Sequence, residues 1–454
     1  MAPSERRDPD TGCTVDVVEG TLRWTDTSEN ARRVDLGDIV GVVRNPDQSP
    51  GFRVLFLESA QDEGEGSGTP RLSKVDTVYL PAALSPLLVD VPSHLQRGEP
   101  VQVVISARSG TGTAKAVFQA TVEPFLRHLA LEYRIFETQS AQTILELSRS
   151  RFLENACAGI PQTILLLSGD GGLVDIVDVF YKSTETVQVA PNICLIPCGT
   201  GNAMASSIGL RSGPASGLAT FLWGQPSPVP IFAASFSAGS QLVLDEGRQR
   251  GPIDIKSDAP YPTIYGAVVA SWGLHAALVA DSDTAEYRKF GSERFKIAAK
   301  ELLHPSDGTA PHHFQGRITL TTANSQTGLH DQEIIEENEH MYVLATLVPR
   351  LEKEFLISPD SEPLGGQMRF LRFGPLSAEE ATRLVMLAYQ EGQHVHEDVV
   401  TYQEIERLRI DFNEDLERWR RVCVDGKIVA VGKGGWMELC KEPRRLLNII
   451  KPCE

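Results

Sequence analysis

The fold the sequence predicts is an α/β domain on a mostly parallel sheet, with a small β-rich region before it and an antiparallel β-sandwich after it. Three observations predict it. Between residues 97 and 229, continuous apolar runs alternate with helical patterns, and a glycine-rich turn separates each run from its helix. Over residues 1–96 and 230–454 the runs are instead short, β-branched or aromatic, and broken by turn-rich stretches. The length, 454 residues, leaves room for two or three domains with ample core.

Composition narrows the function classes. Apolar residues make up 41% and charged residues 23%, which is ordinary for a globular chain and excludes wholesale disorder. With 43 basic against 60 acidic residues the formal charge is −17. A protein that coats nucleic acid needs a basic footprint, so nucleic acid is excluded as a partner. If the protein handles phosphate or anionic lipid, its positive charge must be gathered locally.

The elements follow in order. TLRWTD, DIVGVVRN, RVLFLES and VDTVYLP supply the strands of the amino-terminal region, and the Gly/Ser/acid-rich stretch between Glu58 and Lys74 reads as a loop. Nothing catalytic is visible there; a pleckstrin-homology-like barrel that binds lipid or a partner and a purely structural appendage are both open. VQVVISA, TILLLS and NICLIPC are buried-strand runs, followed by the helical AKAVFQATVEPFLRHLA, LVDIVDVFYKS and AMASSIGL. This repeated strand, turn and helix is the signature of parallel strands with crossover helices.

Beyond residue 230, IFAASFS, QLVLDEG, GRITLTT, HMYVLATL, MRFLRFG and RVCVDGKIVAVG read as antiparallel strands. Two helices interrupt them. One is TAEYRKFGSERFKIAAKELL; the other starts at Ser377, with Glu380 placed to complete a capping box. The uncharged stretch from Ala259 to Ala280 holds prolines, glycines and a histidine, so it reads as buried strand and turn rather than a membrane span.

The amino terminus lacks the apolar core of a secretory leader, and neither end carries a lipidation motif. The seven cysteines form no CxxC pair and read as reduced thiols of an intracellular protein. No spacing of Cys, His or carboxylate suggests a protein metal site, and the histidines receive no role.

In such sheets ligands bind beyond the carboxyl ends of the strands. Three glycine-rich turns fall there: Ser106–Ala114, Ser168–Gly172 and Pro197–Ala203. Glycine lets backbone N–H groups approach a phosphate, and a following helix N-terminus adds positive dipole. Each turn alone is common punctuation; three at one edge, one holding a carboxylate, point to a Rossmann-like nucleotide domain. Asp170, in the second turn, has two readings. It caps a helix or shapes the loop, or it takes the proton from a substrate hydroxyl as that oxygen attacks a γ-phosphate.

SGDG followed by a helix, then PCGTGNAMA about 25 residues later, resembles the catalytic domain shared by diacylglycerol kinases and sphingosine kinases. VVISARSGTGTA resembles the family's first nucleotide turn, EYRKFGSERF a stretch in the second domain of sphingosine kinases, and VCVDGK their closing hairpin. Ala203 after GTGN leans toward the sphingosine kinases, with fungal and plant long-chain-base kinases similar around VADSD.

The resemblance implies a cytoplasmic, peripherally membrane-associated lipid kinase using ATP and Mg²⁺, the metal arriving with the nucleotide. Its substrate would be a sphingoid base. Diacylglycerol or ceramide is the alternative, and a catalytically decayed lipid- or nucleotide-binding protein is another. It implies Asp170 as the general base. Ser106, Arg108, Gly110, Gly112, Ser168, Gly169, Gly171, Asp175, Gly199, Thr200, Gly201 and Asn202 would surround the nucleotide. Arg288 and Arg294 match the phosphate-binding arginines; six apart, they converge only if the helix breaks near Gly291. Asp425 matches the hairpin residue that approaches the nucleotide, and an Asp-Gly turn is the plain alternative. Asp281, rather than Asp283, is expected to meet the sphingoid amine, with helix capping its competing role.

Several positions depart from the family pattern. Ser106 stands where the family has Asn, Thr113 where it has Lys, Asp175 where it has Glu, and Lys427 where it has an acid. Arg108 or Lys115 is expected to replace the cation missing at Thr113, and Asp175 is expected on the first turn of its helix.

Overall fold

The computed structural model describes residues 13–453 apart from 27, 45–50, 59–68, 90–91, 93, 96–99, 108, 111, 211–213, 256–259, 292 and 324–329. Most of the expected Glu58–Lys74 loop therefore lies outside the described residues.

A six-stranded sheet carries the nucleotide turns. Its order is Gln225–Pro228, Asn448–Lys451, Asn192–Pro197, Thr163–Ser168, Val101–Ile105 and Tyr133–Glu137. The last five run parallel, and Gln225–Pro228 pairs antiparallel at the edge. Val101–Ile105 and Thr163–Ser168 are buried along their whole lengths, as strands covered by helices on both faces must be. One strand departs from the expected linear division. Asn448–Lys451, from the end of the chain, returns to the nucleotide sheet and pairs with Asn192 and Ile193.

Residues 230–447 build two antiparallel sheets of seven and eight strands. Phe232, Phe236, Ile410 and Leu439 of one face Trp272, Val343, Phe370 and Val424 of the other across a shared core. The outer face of the eight-stranded sheet, through Val269, Leu344 and Leu371, packs with Leu173 and Val177 of the helix Asp170–Lys182. This join between nucleotide sheet and β-rich layers positions the site.

The amino-terminal strands form two three-stranded antiparallel sheets around Leu22, Val42, Val54 and Phe56. Their other side, Val40, Val43, Leu55 and Leu57, packs with Phe118, Phe125 and Phe221 on the nucleotide domain. Arg53 donates to both oxygens of Asp76 through Nε and Nη2, at 2.6 and 3.0 Å, and its Nη1 approaches His128 Nδ1 at 3.4 Å. The region is thus docked on the nucleotide domain's flank.

Three helical details differ from the sequence reading. Leu274–Ser282, inside the stretch read as strand and turn, is a helix after the strands Thr263–Gly266 and Val269–Gly273; its alanine-rich surface carries no amphipathic signal. The single helix expected over EYRKFGSERF is two, Ala285–Arg288 and Glu293–Leu303, broken at Gly291 with φ 56°. Ser377 Oγ does cap Ala378–Leu387 by accepting from Glu380 N at 3.2 Å. The Glu380 carboxylate, however, turns to Arg383 at 2.8 Å instead of closing the box. Among the described residues no helix is long and apolar enough to cross a membrane.

Candidate active site

The three glycine turns pack on one another. A Cβ at Gly169 would come within 2.9 Å of Gly199 Cα, and one at Gly110 within 2.6 Å of the Cys198 carbonyl oxygen. Gly110 also has φ 55°. Glycine here therefore serves turn-against-turn contact. Gly171, beside which a Cβ would meet nothing, and Gly201, 3.2 Å from only the Leu351 carbonyl, face open space where a ligand can approach.

Hydrogen bonds fix the same assembly. Ser109 Oγ accepts from Gly169 N at 2.7 Å, joining the first turn to the second. Asn202 closes the third turn on itself: its Oδ1 accepts from Gly199 N at 2.9 Å and its Nδ2 donates to Gly199 O at 2.8 Å. Its left-handed φ of 51° is one that Asn tolerates better than most residues. Ser106 N donates to Leu167 O and Ser106 O accepts from Ser109 N, so Ser106 shapes the turn through its backbone. Gly112 has φ 78°, and Ser168 is buried at the end of its strand.

Asp170 is the first residue of the helix Asp170–Lys182, with Gly169 as its extended N-cap. Its carboxylate accepts from Ala203 N at 2.8 Å and Met204 N at 3.0 Å, at the start of the helix Ala203–Ser207. Burial raises its proton affinity above that of an ordinary carboxylate, and the two amides oppose the shift. The capping and proton-accepting readings are thus compatible: the amides orient the carboxylate, and its carboxyl opens on a cavity. Asp175 is the sixth residue of this helix and so lies on its second turn, not the first, because the helix begins at Asp170 itself.

That cavity, about 820 Å³, is lined at one end by Gly110, Gly169, Asp170, Gly171, Gly199, Thr200 and Gly201. The rest of its lining mixes apolar side chains, Leu274, Leu278, Leu303, Phe355 and Val385 among them, with charged ones such as Asp283, Arg294 and Glu352.

Asp425 and Gly426 form the hairpin turn between Arg421–Val424 and Lys427–Ala430, with φ 47° and 84°. The Asp425 carboxylate reaches into the protein and accepts from Ala267 N, Val268 N and Val269 N at 2.6, 3.1 and 2.6 Å. Burial pushes it up to about 7, with the nearby Asp170 charge adding to the shift and the amides opposing it. Next to it, Lys427 Nζ lies 3.4 Å from both Asp175 and Asp178. Burial lifts the Asp175 carboxyl while Lys427 opposes the shift. The charge reversal at Lys427 is matched by these partners.

Other expected residues separate. Asp281 does not line the cavity. It pairs with Arg418 at 2.8 Å and Arg421 at 3.0 Å, because the Leu274–Ser282 helix turns it toward the Glu417–Arg421 segment. The acid in the cavity wall is Asp283, 3.9 Å from the Arg294 guanidinium, which also lines the cavity. A helix break is present at Gly291, while the Arg288 side chain and all of Arg108 lie outside the described residues. Lys115 does not replace the cation missing at Thr113: it binds both oxygens of Glu137 at 3.0 Å. Sequence reasoning missed Lys296, one residue past the EYRKFGSERF stretch, and Glu352, in a segment without a motif; both line the cavity.

Residues 100–234 match the diacylglycerol kinase catalytic domain. The class defined by the turns, the sheet and this match is the kinases built on that domain. Sphingosine kinase 1 of Mus musculus is 22% identical over 320 residues, covering 66% of this chain and 78% of that protein. The human sphingosine kinase 1 is 23% identical over 320 residues, covering 65% and 77%. Sphingoid long chain base kinase 5 of Saccharomyces cerevisiae is 27% identical over 123 residues, covering 27% and 17%. In fold, a putative diacylglycerol kinase from Bacillus anthracis aligns with TM-score 0.51 at 14% identity, covering 78% of this chain and 95% of that one. The chain thus carries a diacylglycerol kinase catalytic domain over residues 100–234 and is similar along about two thirds of its length to sphingosine kinases.

Proposed function

We propose that the protein transfers the γ-phosphoryl group of ATP to the primary hydroxyl of a sphingoid base. The observation that carries this reading is the single cavity joining the glycine turns and Asp170 to an apolar chamber with Asp283 in its wall. The turns would receive the nucleotide phosphates through their open faces at Gly171 and Gly201, with Thr200 and Arg294 around them. The lipid tail would lie along Leu278, Phe355 and Val385.

Asp170, oriented by two amides and raised in proton affinity, would accept the hydroxyl proton as the oxygen attacks. Asp283 offers an anion to a protonated amine. No group of three or more metal-ligating side chains occurs among the described residues, whereas the carboxylates of Asp175 and Asp425 line the cavity. Asp425 is held by the Ala267–Val269 amides and Asp175 by Lys427, so Mg²⁺ would arrive with the nucleotide phosphates, whose charge it would neutralise.

In this reading residues 97–229 with the strand Asn448–Lys451 form the nucleotide unit, residues 230–447 the lipid unit, and residues 1–96 a docked flank. Peripheral membrane contact would run through apolar residues near the chamber such as Met386, which is 45% exposed. The test is label transfer from γ-labelled ATP to a panel of sphingoid bases, ceramide and diacylglycerol. Labelled sphingoid-base phosphate is expected; labelling of diacylglycerol alone would overturn the substrate assignment.

A further inference from the structure

One polar pair in the chamber is left over from the chemistry above. Ser271 lies in the strand Val269–Gly273, and His275 is one residue into the helix that follows. Ser271 Oγ and His275 Nδ1 are 2.7 Å apart. The imidazole lines the cavity among Leu274, Leu278, Val279 and Cys423, an otherwise apolar stretch. Among the described residues Nε2 has no hydrogen-bond partner. Burial lowers the ring's pKa to about 4, so it is neutral at physiological pH. A neutral ring with one nitrogen engaged and the other open to the chamber offers a bound ligand one hydrogen bond.

The position relative to the reacting centre follows from the strand register. Ser271 pairs with Cys423, two residues before Asp425, on whose carboxyl the Asp170 charge acts. At the usual rise along a strand this puts the Ser271–His275 pair roughly 7 Å from the Asp425 turn. Asp170 and His275 line the same cavity, so a ligand whose terminal hydroxyl meets Asp170 can extend along it past His275.

The chemistry of the missing partner can be narrowed. A protonated amine can only donate and is better served by the Asp283 anion. A carbonyl can only accept. A hydroxyl does both, and so satisfies Nε2 whichever tautomer Ser271 selects.

We infer that Ser271 and His275 form a second recognition point, which reads a hydroxyl carried on the acceptor lipid's chain a few bonds from the hydroxyl that is phosphorylated. The preferred substrate is then a polyhydroxylated long-chain base. This rests on the lipid-kinase reading and refines its substrate.

Two lipids differing by one chain hydroxyl, sphinganine and 4-hydroxysphinganine, test it. The full-length protein is assayed for kcat/KM with each in the same mixed micelles. One hydrogen bond to a built site predicts a preference of about tenfold for the hydroxylated lipid. His275→Leu should bring the ratio close to one, and the milder Ser271→Ala, which frees the ring, should reduce it to about threefold. Equal kcat/KM for both lipids in the wild type, or an unchanged ratio in His275→Leu, would overturn the inference. If neither lipid is phosphorylated, the lipid-kinase reading fails separately. Equilibrium binding of the two lipids then decides this one: tighter binding of the hydroxylated lipid supports it and equal binding refutes it.

Discussion

The Asp425 carboxylate offers a prediction in which sign and size both follow from the structure. It is buried, accepts three backbone amides of Ala267–Val269, and is pushed up to about 7 by burial and by the neighbouring Asp170. In the unfolded chain an aspartate titrates near 3.9. Between those values the native state holds a proton that the unfolded state has released. Stability contributed by this group is therefore greatest at low pH, falls as pH rises toward 7, and is flat above it.

Asp425→Asn removes the titration and retains a residue that accepts the left-handed φ of 47° in an Asp-Gly-type turn. From pH 8 to pH 5 the wild type should therefore gain stability relative to the variant. Two pH units below the native pKa, at about 1.4 kcal/mol each, give about 2.7 kcal/mol. Contributions of the other titrating groups cancel in the comparison. Denaturant unfolding of both proteins at pH 5 and pH 8 measures it. A difference that is the same at both pH values, or larger at pH 8, would refute the reasoning.

Three further perturbations separate roles within the site. Gly199→Ala drives a methyl into the Gly169 backbone, whereas Gly171→Ala meets nothing in the protein. The first should destabilise the fold by at least ~1 kcal/mol and weaken binding of a fluorescent ATP analogue; the second should leave thermal stability unchanged and still weaken that binding. Asp281→Asn breaks only the pairs with Arg418 and Arg421, so lipid turnover should stay within about twofold. Asp283→Asn should raise KM for a sphingoid base about tenfold or more; the opposite ranking would restore Asp281 to the substrate site. Lys427→Met leaves Asp175 and Asp178 without their shared cation and should destabilise the protein by about 2–3 kcal/mol, measured by denaturant unfolding at pH 7.

Local patterns in the sequence were sufficient for the nucleotide half. Apolar runs ending in glycines place Val101–Ile105, Thr163–Ser168 and Asn192–Pro197 side by side, because parallel strands buried on both faces need unbroken apolar character. The return of Asn448–Lys451 to that sheet was not legible, since four residues carry no periodicity and pairing across the whole chain leaves no local trace.

The candidate site divides in the same way. Asp170 and its turns are contiguous motifs and could be read directly. What Asp281 touches depends on the rotation of the Leu274–Ser282 helix, and the alanines and leucines around its circumference hide that rotation. The reason for glycine at positions 169 and 199 was also hidden, because it lies in contact between turns thirty residues apart. Ser271 and His275 carry no signal in a stretch that reads as strand and turn; the helix starting at Leu274 brings them within hydrogen-bond distance.

The account stands most directly on one carboxylate. Asp170→Asn keeps the size and an oxygen acceptor for the Ala203–Met204 amides but cannot take a proton. Initial rates of label transfer from ATP to a sphingoid base, measured beside ATP-analogue affinity, test it. The account predicts a rate lower by at least about a hundredfold with nucleotide affinity within a few-fold of wild type. Transfer at the wild-type rate in the variant would contradict it.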